Sequence, residues 1–289
     1  MLFASSRSAE SPHLERRRSI SREQTVAPDD PLAGIPSAPA SVREALHCLT
    51  EVSVRLRSQG DPRAAFTDVY AIITRRVRDA IDDEATCPFV EPEFISRLAG
   101  RFCTLYLAAL RRSLQGSPEP SRAWSIAHRK DRSARLLPVQ HAMLGLNAHI
   151  NYDLAHGLFG NVGSLGGSQD AATMARYRHD HDAVNQILQD AMPEVLELLA
   201  SRYGCATAHL VLHAGQLRHA LCGATIFTLR VWRTRVWRDL LAMIAAPDEA
   251  ARARITSRMN VRSGLFAIVL ALPVPALPAV LALRSFVVA

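Results

Sequence analysis

Apolar residues recur at intervals of three and four along most of the chain, the spacing that lines up one face of an α-helix. After Asp61-Pro62, a cap and first-position pair, Phe66, Val69, Tyr70, Ile73, Val77 and Ile81 form such a stripe. Pro92 to Leu114 repeats it with Phe94, Leu98, Phe102, Leu105 and Tyr106. A third stripe lies between Ala171 and Ala200, carried by Val184, Ile187, Leu188, Met192, Val195, Leu196 and Leu199. The pattern also predicts a short helix over 41–57, a helix opened by Pro138, and helices from Ala206 to Ala245 with a break at Gly223. Pro247-Asp248 starts another. Gly116 to Ser121 and the glycine-rich stretch Gly157 to Gly167 are expected to be connections. A strand competes only at Gly223 to Val231, because Val, Ile and Thr are nowhere else concentrated. The expected fold is all-α, a single multi-helix bundle-like domain.

The two ends differ from the middle. Residues 1–40 are rich in Ser and Arg, then in Pro, with no sustained apolar period, and read as a disordered leader. Arg16-Arg17-Arg18 is not followed by the apolar run of an export signal. The helical domain is expected over 41–262 and an apolar tail over 263–289. Ser263 to Leu283 carries no charge, and its 21 residues are long enough to cross a bilayer as a helix. Pro273, Pro275 and Pro278 would interrupt that helix. The tail therefore either packs on the helical core or meets a membrane, with Arg254, Arg258 and Arg262 as a cytosolic flank.

Composition narrows the class. Cys48, Cys87, Cys103, Cys205 and Cys222 form no CxxC pair, and an odd, scattered set fits small buried hydrophobes in a reducing compartment. A cytoplasmic location, with peripheral or anchored membrane association as a variant, follows from that reading. Net charge is +7, and residues 201–289 hold 11 Arg against Asp239, Asp248 and Glu249. That excess suits an anionic surface or a solvated basic helix face. Nucleic acid is not the expected partner: there is no Cys/His finger, and Arg233, Arg235 and Arg238 surround Trp232 and Trp237, which read as core.

The chemistry concentrates after Pro138, in LGLNAHINYDLAHGL (144–158). At about 100° per residue, His149, Asp153 and His156 fall within about 60° of arc. Tyr152 lies beside them, and Gly145 leaves space on that face for a ligand or a close helix crossing. His149 and Asp153, four apart, can share a ligand or bond each other. Imidazole and carboxylate together suit Zn, Mn or Fe, and they equally suit a base with its orienting carboxylate. One helix cannot complete a metal site. The nearest further donors are Asp180 and His181, with Asn185 on the same helix, and His209 and His213 beyond. No HExxH, GxSxG or phosphate-loop pattern is present.

The segment resembles the core of DUF5995, a bacterial family of uncharacterised proteins. Asn147, His149, Asn151 and Asp153 carry the resemblance. The order around them is also similar: Phe66 and Tyr70, Phe102 and Tyr106, Trp124, then Asp180, Val184 and Asn185. The resemblance covers about 60–245, implies a helical fold and a site at this segment, and implies no activity. The family pattern runs from Asp-Leu into a Pro-containing stretch, where this chain has Ala155-His156.

Two functions are expected to compete. In the first, a metal-assisted hydrolase acts on a small or lipid-like ester or phosphoester. His149, Asp153, Asp180 and His181 would be ligands, Tyr152 a proton donor, and Asn147, Asn151, His156 and Asn185 ligand contacts. In the second, a non-enzymatic helical protein binds a ligand or serves as a scaffold, with a structural His/Asp/Asn network. A cavity where His149, Asp153 and a donor from 180–185 or 209–213 converge favours the first. Satisfaction of each group by a neighbouring helix, without a cavity, favours the second.

Overall fold

The computed structural model describes residues 30–129, 136–164 and 170–272. These residues form helices and connections, without a strand among them. The helices are α1 (Val42–Ser58), α2 (Ala64–Asp82), α3 (Pro92–Leu114), α4 (Arg122–Ala127), α5 (Pro138–Ala148), α6 (Leu154–Ser164), α7 (Ala171–Ser201), α8 (Ala206–Leu212), α9 (Gln216–Ala245) and α10 (Glu249–Leu270). A π-helical turn, His149–Asp153, joins α5 to α6 in one rod. The all-α expectation holds.

Caps follow from the sequence. Ser41, Ser121, Asp170 and Asp248 each accept a hydrogen bond from a first-turn N–H, of Glu44, Trp124, Thr173 and Ala251 respectively. Asp61 likewise accepts a backbone N–H two residues on, that of Arg63, together with the Arg63 guanidinium, in a turn that leads into α2 at Ala64.

The rod of α5, the π turn and α6 is the centre of the fold. Ala142, Leu144, Ala148, Ile150, Leu154, Ala155 and Leu158 are all buried, so it is enclosed rather than one-sided. On one side lies a cluster with α1, α2, α3 and α4, built on Leu49, Leu56, Tyr106, Leu110 and Trp124. On the other, Phe94, Leu188, Trp232, Trp237, Leu240 and Met259 join the rod to α3, α7, α9 and α10.

Several expectations are corrected. Gly157, Gly160 and Gly163 do not open a loop, because α6 runs through them; Gly166 and Gly167 lie outside the described residues. A Cβ at Gly157 would make only ordinary contacts with Leu98, Phe102 and Leu105 of α3, whereas one at Gly160 would meet the Arg101 guanidinium at 2.8 Å. The break expected at Gly223 falls instead at Gly215, whose φ of 54° an L side chain rarely adopts. Gly223 to Val231 lies inside α9. Only Ile226 and Leu229 are buried in that stretch, three apart as one helix face requires.

At the N-terminus, Leu32 and Ile35 are buried beside α1, so packed structure starts earlier than residue 41. The leader expected over the residues before 30 lies outside the described residues. At the other end, Ser263, Gly264 and Ala267 pack inward, while 273–289 lie outside the described residues. No helix among the described residues is long and apolar enough to cross a membrane.

Candidate functional site

His149 opens the π turn, in which the Leu154 N–H reaches back five residues to the His149 carbonyl. A π turn adds a residue to one turn and rotates the helix beyond it. Both His149 and Asp153 therefore point into the protein, while His156 moves away from them. His149 Nδ1 lies 3.0 Å from Asp153 Oδ2. The same oxygen accepts the indole N–H of Trp124 at 2.9 Å. The three groups come from two elements, and all are sealed from water.

Aromatic rings enclose the imidazole. Phe102 of α3 stacks on it at 3.3 Å between centroids, 8° from parallel. Tyr70 of α2 meets it edge-on at 4.6 Å, and Phe66 at 5.8 Å. Gly145, one turn earlier on α5, leaves the space that the Phe66 ring fills. The gap anticipated on this face thus serves close helix packing.

Burial sets the electrostatics. It holds the His149 imidazole well below its usual pKa and pushes the Asp153 carboxyl well above its own, an effect the Trp124 hydrogen bond opposes. Both shifts favour the neutral forms, so the pair adds no net charge to the core. Burial likewise raises the Tyr70 hydroxyl well above its usual range.

His149 and Tyr70 border a cavity of about 90 Å³ between α2, α3, the π turn, α7 and α9. Its wall is otherwise chiefly aliphatic and aromatic, with Ile73, Leu98, Phe102, Leu154 and Leu188 prominent. His181 of α7 borders it from the far side, with Arg233 of α9. His181 Nε2 lies 3.2 Å from the Arg233 carbonyl, which only accepts, so Nε2 carries the proton. Burial, together with the charges of Arg233 and Arg178, keeps this imidazole neutral. Arg233 in turn donates to the His181 carbonyl and, at 2.9 Å, to Asn185 Oδ1. Its partners are carbonyl oxygens rather than a carboxylate, and burial brings its pKa down to about 10.

Three polar atoms on residues bordering this cavity are buried without a partner: His149 Nε2, His181 Nδ1 and Tyr70 Oη. Buried polar atoms are nearly always paired, and an exception calls for an explanation such as a water, an ion or a functional role.

The other anticipated site residues fall elsewhere. Asp180 is fully buried, but its two oxygens accept the backbone N–H groups of Val90 and Glu91, each at 2.7 Å, ahead of α3. Asn147 donates to the Ser263 carbonyl of α10, and Asn151 donates to Asn147. They tie α5 to α10. Tyr152 and His156 pack against each other at 5.0 Å, and neither borders the cavity. His209 and His213 pair on α8 and its C-terminal end, ring to ring at 4.3 Å. Among the described residues, no group of three or more His, Cys, Asp or Glu side chains is arranged to hold a metal ion. Sequence reasoning passes over Arg233 as a cavity residue, although its flanking tryptophans mark that part of α9 as buried.

Fold and site together define an all-helical protein with a largely apolar cavity between its helices, bordered by two neutral imidazoles. The chain belongs to DUF5995, a family of unknown function, whose pattern matches residues 42–273. No curated protein and no solved structure matches it.

Proposed function

We propose that the protein binds a small, largely apolar molecule, or one apolar arm of a longer one, in the cavity between α2, α3, the π turn and α7. The observation that carries this reading is the presence of three unpartnered polar atoms on residues around one apolar space. An occupant with a single polar group would satisfy one or more of them after small side-chain adjustments. At about 90 Å³ the space is well below the usual range for drug-sized ligands. The occupant is therefore short or slender. His181 Nδ1 accepts hydrogen bonds only, which favours a hydroxyl or N–H on the ligand over an anion.

The metal-assisted hydrolase ranks behind this. Of its four proposed ligands, His149 and His181 border the cavity. Asp153 Oδ2 is shared by Trp124 and His149, and Asp180 is held by backbone N–H groups. A metal would have to displace those bonds.

The test is thermal unfolding under xenon pressure and across a series of short alcohols and alkanes, with Val184→Phe as a cavity-filling control. Binding at a hundred times Kd stabilises a native state by about 2.7 kcal/mol. Stabilisation that V184F abolishes is the expected result. Equal response of wild type and V184F would sink the proposal. Elemental analysis after loading with Zn, Mn or Fe decides the runner-up: stoichiometric metal lost on His149→Ala and His181→Ala would reverse the ranking.

A further inference from the structure

The outer face of α10 changes character along its length. Arg254 and Arg258 are exposed in its first half. Val261 follows on the same stripe. Leu265, Ile268, Val269 and Leu272 are then 60%, 54%, 63% and 57% exposed, although each is a large aliphatic side chain. The spacing of three and four places all but Leu272, which follows the last helical residue, on one stripe of the helix surface. The inward face carries Ile255, Met259, Ser263, Gly264 and Ala267, which are buried, so the helix is already docked on that side. Nearby charges are paired: Arg262 binds Asp239, and Arg252 binds Glu249.

A contiguous aliphatic stripe at the end of a helix, led by cations, is a surface with an unfilled role. Two observations identify what meets it. The first is charge: the exposed cations are arginines, in a third of the chain where Arg outnumbers acids 11 to three. The second is continuity: beyond Leu272 the sequence runs on through Pro273 to Leu283 without a charge. The apolar character thus grows toward the C-terminus.

We propose that α10 docks on an anionic phospholipid surface, its C-terminal end dipping obliquely into the interface. From Arg258 to Leu265 the helix rises about 10 Å. At an oblique tilt part of that rise becomes depth, on the scale of the roughly 5–10 Å that apolar faces reach in the interface. Arg254 and Arg258 then lie at the level of the lipid phosphates while Leu265, Ile268 and Val269 enter the acyl boundary. The contact is peripheral, and the rest of the helical domain stays outside the bilayer.

The test is co-sedimentation of the full chain with phosphatidylglycerol/phosphatidylcholine vesicles and with phosphatidylcholine alone. Binding to the anionic vesicles, at least tenfold stronger than to the neutral ones, is expected. The double variant L265E/I268E should lose at least tenfold. R254E/R258E should lose about tenfold on anionic vesicles and little on neutral ones. All four positions are exposed, and unchanged helical content and melting temperature would confirm that the variants fold. A chain ended at Leu272 should keep measurable binding. Binding that survives L265E/I268E, or that vanishes entirely in the truncated chain, would overturn the proposal. So would a concentration-dependent dimer, disrupted by L265E/I268E, that does not bind vesicles, since α10 would then meet a second copy.

Discussion

Trp124 donates its indole N–H to Asp153 Oδ2 at 2.9 Å, and that single bond ties the short helix α4 to the central rod. Trp124 is completely buried and Asp153 nearly so. The carboxyl therefore has no water to turn to if the indole is removed. Trp124→Phe should cost about 1–3 kcal/mol from the lost bond, with a further amount from the space vacated. Urea unfolding measures the total. Repeating the substitution in an Asp153→Ala background, which removes the acceptor, isolates the bond: a coupling of about 1 kcal/mol or more is expected. Strict additivity would show that the contact contributes nothing.

Gly145 and Phe66 make a second testable pair. A Cβ at 145 would stand 2.2 Å from the Phe66 ring, far inside contact distance. Phe66 is itself hemmed in by Tyr70, Tyr106 and Trp124 and has little room to retreat. Gly145→Ala removes a flexible residue from a helix, which alone would stabilise by up to about 1 kcal/mol. Here overpacking should win, with a net loss of about 1–3 kcal/mol. Phe66→Leu combined with Gly145→Ala should cost less than the two single changes added together. A Gly145→Ala variant as stable as the parent would show that the ring moves freely.

These two pairs also show how far the sequence is legible. The stripes of α2, α3 and α7 appear directly in the spacing of Phe66, Phe94 and Leu188 and their neighbours, because a one-sided helix writes its burial into a period of three to four. The His149–Asp153 bond is legible for the same reason. A straight helical wheel puts His156 on the same face because it assumes one angle per residue, and the π turn at His149–Asp153 breaks that assumption. Nothing local in HINYD signals the extra residue. The turn is stabilised by partners from α3 and α4, far away in sequence. Gly160 misleads for a related reason: glycine serves both loops and close contacts, and only the position of Arg101 on α3 decides between them. Asp180 looks like a ligand because its role depends on the backbone at Val90 and Glu91, about ninety residues earlier.

The neutral imidazoles make stability depend on pH. His149 and His181 have folded pKa values depressed from 6.5 by burial, whereas the unfolded chain titrates normally. As pH falls below 6.5 the unfolded state takes up protons that the folded state refuses, so stability present above 6.5 is lost on acidification. Each group contributes at most about 1.4 kcal/mol per pH unit. Asp153 acts in the opposite sense. Its raised pKa favours the fold below 3.8, and that contribution fades as pH rises through the folded value. Between pH 7 and pH 5 the wild type should therefore lose stability by an amount that His181→Asn reduces. Urea melts at the two values measure it, and an identical slope in both proteins would mean that His181 titrates freely.

Arg233 and His181 exchange hydrogen bonds across the cavity wall, and this reciprocity gives the last prediction. The guanidinium donates to the His181 carbonyl, the Arg233 carbonyl accepts from His181 Nε2, and Asn185 accepts from Arg233 Nε. Arg233→Met keeps much of the aliphatic volume and removes the charge. The His181 and Asn185 oxygens then lose their donor, at about 1–3 kcal/mol for a buried group. Relief from burying a guanidinium without a carboxylate partner works the other way. Two oxygens are left against one charge relieved, and the carbonyl of His181 lies inside α7 where it already accepts a helix bond, so the net loss should be small, about 1 kcal/mol. The imidazole is the sharper reporter. The Arg233 charge helps to hold the His181 pKa down, so its removal should raise that pKa toward 6.5 while burial still keeps it below. NMR titration of the His181 ring follows this directly. A His181 pKa unmoved by R233M would mean that burial alone sets the neutral state of the cavity.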